Sequence, residues 1–509
     1  MLHAQLAAAN GIDIPESNLV GDVVADFAAA ARDWPHRAAV VHSGSSIEYR
    51  DLAAWVGATA SGYRARRTGA AGSAGLIGAL VSHTPAVVAH LLGILQAGAT
   101  YCPIDASLPA ARKEMLASVL GLDRLFVAAG SPHEPMDQLP QPLWHPGDPA
   151  YVLCTSGSTG APKPVVVSRG ALTVTVRALR RLFALTPEDR VLQFASLGWD
   201  TCLEEILPAL TAGAALVFDD EAHSGSFPRF VRMLEAREIT VLDLPTAFWH
   251  ELVFFLHEEG ATLPACVRLV VIGGERIDPT RLHQWRALEL GHIRLLNTYG
   301  CTETTMITHA VQLSGPGTEP DVTSHGAEAP LGRPLPHVRD HLTDEGELLV
   351  SGPSLATGYL GLPELTATGF PIDDHGWGAT RWFHTGDLVM RVEHGLLYAL
   401  GRTDEQVKVL GVRVHPAEVE MQLTAHPAVA GAVVTGERRL GRTVLTAYVV
   451  AAGATTAGEL KRYLRDRLPG QFVPSRVEFV DALAYTASGK IDRTATRLAA
   501  ADYGNKGAG

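Results

Sequence analysis

The sequence predicts an α/β architecture in two parts: a large multi-layer domain over residues 1–403 and a small α+β domain over 404–509. Three observations predict it. The chain has 509 residues, more than one hydrophobic core serves, since cores stop growing near roughly 250 to 300 residues. Apolar, β-branched runs alternate with amphipathic helical runs, as in RLVVIGG (268–274) followed by DPTRLHQWRAL (278–288), the pattern of helices layered on partly parallel sheets. The texture then changes at GRTDEQVKVLG (401–411), so the boundary is placed at 402–405.

Within the first part, residues 84–104 carry no formal charge and are long enough to span a bilayer. They contain Pro85, His90 and Gln96, however, and the apolar core VVAHLLGIL is too short, so a buried helix followed by a turn is expected. In the second part a helix is expected over 416–425, then strands AGAVVTG and TVLTAYVVA. A second helix opens at Thr456, where Glu459 three residues on completes a reciprocal cap; Leu460, Leu464 and Leu468 follow at helical spacing. No repeat of 20 to 50 residues is visible.

Composition narrows the function classes. Apolar residues make up 47% and charged residues 19%, a globular balance that argues against extensive disorder. Forty-two basic against fifty-four acidic side chains leave a net charge of −12, a field that repels phosphate backbones and anionic lipid, so neither nucleic acid nor membrane is an expected partner. Five cysteines, Cys102, Cys154, Cys202, Cys266 and Cys301, form no CxxC pair. They read as reduced, buried thiols of a cytoplasmic protein rather than a disulfide frame or zinc site. The N-terminus lacks the basic start and apolar stretch of an exported chain.

The sharpest stretch is AYVLCTSGSTGAPKPVVV (150–167). A strand-like run delivers the chain into Thr155, Ser156, Gly157, Ser158, Thr159 and Gly160. Small hydroxyl residues and glycines there let backbone N–H groups and side-chain O–H groups wrap a phosphate, with Lys163 adding positive charge. The GxxxxGK[ST] and GxGxxG spacings are absent. A flexible Gly-Ser surface loop is the bland alternative on these residues alone.

Further motifs remove that alternative. SIEYRDLA (46–53), LQAGATYCPID (95–105), TSGSTGAPK (155–163), NTYGCTETT (297–305), GELLVSGPSLATGYL (346–360), WFHTGDL (382–388), GRTDEQVKVLGVRV (401–414), LPGQFVP (468–474) and YTASGKIDR (485–493) occur in this order. With them the chain resembles an adenylation domain of the nonribosomal peptide synthetases, members of the adenylate-forming superfamily. The resemblance implies an amino-acid adenylating ligase using ATP and Mg²⁺, with a large N-terminal domain, a small mobile C-terminal domain and an active site in the cleft between them.

The resemblance also implies roles. Tyr299 matches the ring that stacks on adenine, Thr302 a phosphate contact, and Glu303 the carboxylate that holds Mg²⁺, a hard ion that prefers oxygen ligands. Asp387 matches the acceptor for the ribose hydroxyls and Arg402 a support for ribose and phosphates. Lys490 matches the cation that bridges the attacking carboxylate and the α-phosphate. Asp404 falls at the family's hinge; rotation there would withdraw Lys490 and present another face, near Lys408 and Gly411, for thiol attack.

The amino-acid pocket is expected to be lined by Asp200, Thr201, Glu204, Asp243, Val271, Gly273, Thr298, Met306, Ile307 and Lys490. Asp200 matches the partner of the substrate's amino group and Lys490 meets its carboxylate. Glu204 and Asp243 are then left over, and two such carboxylates desolvated without a cation would each cost several kcal/mol. A substrate with a second positive charge is their natural complement. The set resembles pockets for lysine-type diamino acids, β-lysine first and α-lysine second, with ornithine and arginine also open.

The few residues after Lys490 and the absence of carrier, condensation or thioesterase signatures suggest an enzyme that stands alone and loads a separate carrier protein in trans, in antibiotic biosynthesis by family analogy. An MbtH-like accessory protein is a possible partner. The alternatives are an acyl- or aryl-CoA ligase on the same fold and a catalytically silent amino-acid binding protein. The second is motivated by two departures: Pro164, where the family has Gly after the loop lysine, and Cys301, where it has proline in YGPTE. Pro164 removes an N–H, and Cys301 is expected to loosen the turn before Thr302 and Glu303.

Overall fold

The computed structural model describes residues 21–67, 75–127, 144–157, 160–319, 322, 328–404, 406–439, 442–484, 493, 495–498 and 500. They sort into two compact units: Met1–Ala106, Leu120–Leu153 and Pro164–Thr403 in the first; Ser107–Val119, Cys154–Lys163 and Asp404–Gly509 in the second.

The first unit is built on two large, mostly parallel sheets and a smaller antiparallel one. One sheet has nine strands, in spatial order Arg333–Pro334, Ile307–Ser314, Arg294–Gly300, Leu269–Gly273, Val241–Pro245, Arg190–Leu192, Ala215–Phe218, Ala38–His42 and Ser45–Glu48. The other has six: Gly358–Tyr359, Lys163–Ser168, Pro149–Thr155, Thr100–Asp105, Leu76–Val81 and Leu125–Val127. The antiparallel sheet runs Arg339–Leu342, Glu347–Ser351, Phe383–Arg391, Leu397–Arg402.

Strand alternation sorts the core. Along the nine-stranded sheet, Val241, Leu269, Val271 and Leu296 join one buried cluster, which also takes in Leu203, Ile206 and Leu210 of the helix Thr201–Ala212. Leu242, Leu244, Val270, Ile272 and Leu295 join a second, with Trp249 of the helix Thr246–Glu259 and Trp285 of Pro279–Ala287. Period-two side chains therefore put Asp243 on the same face as Val241, toward the helix Thr201–Ala212.

The uncharged run resolves as expected: Ala86–Gln96 is a helix, buried from Val87 onward, and the chain then turns into the strand Thr100–Asp105. No helix among the described residues is long and apolar enough to cross a membrane. The buried Arg169 ties three helices of this unit together. Its Nε donates to Asp22 Oδ2 (2.7 Å) and its Nη1 to the Leu95 carbonyl (2.8 Å), while Asp22 Oδ1 accepts the Val24 amide at 2.7 Å as a helix cap.

In the second unit the strands Val429–Arg439, Arg442–Ala451 and Arg476–Phe479 form a sheet, on which the helix Pro416–Thr424 packs. The helix Ala457–Arg465 carries the expected Thr456–Glu459 capping box, with Leu460, Leu464 and Leu468 buried. The same unit holds the buried ion pair of Arg112, from the helix Ala110–Val119, with Glu418. All five cysteines are free thiols, but only Cys102 and Cys202 are buried; Cys154, Cys266 and Cys301 are partly exposed, because the first lies beside the glycine loop and the others at the ends of turns.

Removing one partner of a buried pair strands the other's charge, at about 3–5 kcal/mol. Asp22→Ala should therefore lower the free energy of unfolding measured by chemical denaturation by an amount in that range, whereas Glu221→Ala, which breaks the exposed pair with Arg229, should leave it nearly unchanged.

Candidate active site

Three neighbouring parallel strands set the first group of residues. Asp243 lies in register with Val271 at the middle of their strands, and Gly273 with Thr298 toward the carboxyl ends, the end at which open α/β sheets bind ligands. The backbones pass closely here. A Cβ on Gly273 would lie 2.5 Å from Thr298 Oγ1, which itself donates to the Ile272 carbonyl at 3.0 Å.

The strand Arg294–Gly300 then turns through Cys301–Met306 and returns as Ile307–Ser314. Gly300 is required at the crossing, since a Cβ there would stand 1.8 Å from the Met306 carbonyl oxygen. Thr305 and Met306 hold φ of +60° and +67°, which costs non-glycine residues on the order of 1–3 kcal/mol each. Met306 and Ile307 are buried. Cys301 makes bonds of its own at this turn. Its backbone N–H, which a proline would lack, donates to Thr304 Oγ1 at 3.3 Å, Thr304 Oγ1 donates back to its carbonyl at 3.0 Å, and the Cys301 Sγ meets the same hydroxyl at 3.5 Å. Pro164 lies in the strand Lys163–Ser168, where its carbonyl accepts the Leu360 amide at 2.8 Å.

Opposite the strand ends lies the helix Thr201–Ala212. Asp200 is its N-cap residue, yet its side chain makes no cap bond; the Thr302 side chain stands beside it, and its Oδ2 is buried without a partner. One turn on, the Glu204 and Asp243 carboxyl groups lie within hydrogen-bonding reach of each other. Asp243 Oδ2 is also buried and unpartnered. Asp200, Glu204 and Asp243 are only 9, 8 and 6% exposed, and no Lys, Arg or His among the described residues forms an ion pair with any of them. Burial pushes Asp200 up to about 6 despite the Thr302 hydrogen bond. Burial first, and then the neighbouring carboxylates, push Glu204 well above the ordinary range; burial likewise raises Asp243.

A second group surrounds Asp387, which pairs with Arg402 across the antiparallel strands. The Tyr299 hydroxyl donates to Asp387 Oδ2 and Arg402 Nη1 to Oδ1, both at 2.6 Å, while Arg402 Nη2 donates to the Thr385 carbonyl at 3.2 Å. Burial, and then the Asp387 charge, push the Tyr299 phenol up. The buried Glu303 accepts from the Tyr359 hydroxyl at 3.2 Å. Among the described residues no group of three or more His, Cys, Asp or Glu could hold a metal ion by itself.

In the other unit, Thr155 Oγ1 is buried without a partner, and Ser156 Oγ donates to the Arg413 carbonyl at 2.9 Å. Gly157 could bear no side chain, since a Cβ would stand 2.1 Å from the Ala161 oxygen, and Gly160 has φ +85°. The Gln406 amide donates to Asp404 Oδ1 at 3.2 Å, and Lys408 pairs with Arg413 across a two-stranded ribbon. Ser158, Thr159 and Lys490 lie outside the described residues.

The sequence reading missed three residues. Tyr359 stands in a quoted motif, GYL, without a role. Tyr151 offers a buried, unpartnered hydroxyl that feels the charges of Asp200 and Glu204; its signal was only a tyrosine entering the glycine loop. Glu205 differs from its neighbour: Oε1 accepts the Phe194 and Ala195 amides at 3.0 and 2.9 Å, and Oε2 accepts from Gln193 Nε2 at 2.9 Å.

Comparison with known proteins gives the same outline. Residues 27–140 and 123–360 match the AMP-binding enzyme family, and residues 418–490 the AMP-binding enzyme C-terminal domain. The chain is 40% identical to an isonitrile lipopeptide synthase of Streptomyces coeruleorubidus, over 91% of this chain but 32% of that protein; it thus spans about a third of the length of that relative. Among solved structures it resembles an artificially fused adenylation–PCP di-domain nonribosomal peptide synthetase, NpsA-ThdA, from Klebsiella oxytoca (TM-score 0.77, 22% identity, covering 90% of this chain and 93% of that one). It also resembles a double mutant of the o-succinylbenzoate CoA synthetase MenE of Bacillus subtilis (TM-score 0.79, 21% identity, 93% and 98%). At these identities the two likenesses speak for the fold.

Asp200, Glu204 and Asp243 each hold a proton more tightly in the folded chain than unfolded. The folded state therefore binds more protons above the ordinary carboxylate value of about 4, and these groups withdraw stability as pH rises from there through their folded values. Glu204→Gln should raise the melting temperature of the substrate-free protein, and the gain over the parent should grow between pH 5 and pH 8.

Proposed function

This chain belongs to the AMP-binding enzyme family, and from that premise we propose that it is an amino-acid adenylating ligase for a basic diamino acid, β-lysine first and lysine second. It joins the amino acid's carboxylate to the α-phosphorus of ATP, releasing pyrophosphate, and passes the aminoacyl group to the phosphopantetheine thiol of a carrier protein, in antibiotic biosynthesis. The observation that supports the substrate class is the acidic cluster, with Asp200, Glu204 and Asp243 all buried and two carboxylate oxygens unpartnered.

Asp200 receives the substrate's amino group and the Glu204–Asp243 pair its distal ammonium. Val271, Gly273, Met306 and Ile307 leave an apolar path for the methylenes between, flanked by Thr201 and Thr298. A neutral side chain would leave the acids without a donor, so rejection comes from unmet acceptors rather than from size. ATP is held by the glycine loop and Lys163 at its phosphates, by Tyr299 at the base, and by Asp387 with Arg402 at the ribose. Thr302 adds a phosphate contact. Lys490 neutralises the two anions that meet in the first step and aligns them.

Mg²⁺ is bound in such sites through one or two carboxylates plus substrate phosphates. Glu303 fits that donor set: its carboxylate is buried and steadied by Tyr359. The ion would supply neutralisation of phosphate charge. Asp404 serves as the hinge that exchanges Lys490 for the face bearing Lys408.

The test is amino-acid-dependent ATP–pyrophosphate exchange with β-lysine, lysine, ornithine, arginine and neutral controls, with and without an MbtH-like protein. Exchange confined to basic amino acids is expected; exchange with a neutral amino acid alone would overturn the substrate class. Removing one partner of a buried charge pair costs about 2–5 kcal/mol, so Glu204→Gln should cut kcat/KM for the preferred substrate by about 30-fold or more.

A further inference from the structure

Asp243 faces the helix that carries Glu204, both side chains are buried, Asp243 Oδ2 has no partner, and the two carboxyl groups approach within hydrogen-bonding reach. Two carboxylates have acceptors only, so such a contact needs a proton on one of them. Every other group facing the pair adds negative charge or none. Asp200 and Glu205 come from the same helix as Glu204; the Tyr151 phenol comes from the strand Pro149–Thr155, and the Cys202 thiol from the helix again. Val271, Thr298 and Met306 contribute no charge, and no described cation pairs with either acid.

We infer that Glu204 and Asp243 share one proton in the empty pocket, and that a cationic side chain binds by taking that proton's place. This deepens the proposed function and rests on it. On binding, the carboxyl O–H bond breaks and the proton passes to the bulk buffer; the ammonium's N–H groups then donate to both carboxylates. The pocket remains paired in both states. A basic substrate is selected because only it can supply donors after the proton leaves, and its affinity rises with pH. A neutral amino acid of the same length must leave the proton where it is.

The measurement is isothermal titration calorimetry of the full chain with L-lysine, L-ornithine and β-lysine at pH 7, in buffers of low and high ionisation enthalpy, with norleucine as the uncharged control. The expected result is about one proton released per basic amino acid bound, none for norleucine, and loss of the release in both Glu204→Gln and Asp243→Asn. Asp200→Asn, as a control, should weaken binding without abolishing the release. Should lysine bind with no proton released, or with a release that neither pair variant changes, the shared proton is overturned while the substrate class stands. Failure of every basic amino acid to bind would overturn both.

Discussion

The register of three parallel strands, Val241–Pro245, Leu269–Gly273 and Arg294–Gly300, is the constraint on which the rest depends. Because side chains alternate, a shift of one residue would send Asp243 and Val271 into the cluster that holds Leu244 and Ile272 and bring those apolar residues to face the helix Thr201–Ala212. Register is held by the two buried clusters on opposite faces and, at the strand ends, by contacts only glycine permits, Gly273 beside Thr298 and Gly300 beside Met306. The pocket's chemistry is thus a consequence of backbone spacing.

The same register feeds a strained turn. Thr305 and Met306 lie in the left-handed region, and the turn is kept there by the Cys301–Thr304 bonds on one side and the return strand on the other. It divides two of its polar side chains: Thr302 stands beside Asp200, and Glu303 receives the Tyr359 hydroxyl. Adjacent residues thereby stand beside the acid proposed for the substrate's amino group and supply the acid proposed for phosphate chemistry. A cysteine can replace proline here because the turn uses the N–H that proline lacks.

The α/β layering, the buried helix at 86–96, the Thr456 cap and the family were legible because each rests on local periodicity or on a contiguous motif. The acidic pocket was legible only in part. Asp200 and Glu204 are separated by one helical turn, but that Asp243 meets Glu204 is a fact of sheet register, and that Asp200 turns from its own helix to Thr302 is a fact of long-range packing. Tyr151 and Tyr359 escaped notice for the same reason, since the significance of a tyrosine hydroxyl lies wholly in what it faces. The bonds around Cys301 were not legible either, because they involve a hydroxyl three residues on.

Glu204 and Glu205 show why burial alone does not mark a binding carboxylate. They are neighbours on one helix, both buried, and burial raises both. Glu205 accepts two amides and a glutamine side chain, so its cost is met within the protein and its part is to hold the segment that leads to Asp200. Glu204 meets only another acid. A protein that keeps such a pair in place of an apolar contact accepts a less stable empty state, and the arrangement becomes favourable when something arrives carrying donors of its own. On the proposed function, specificity then resides in what the empty site lacks, since acceptors without donors favour a ligand that carries donors whatever the shape of the lining.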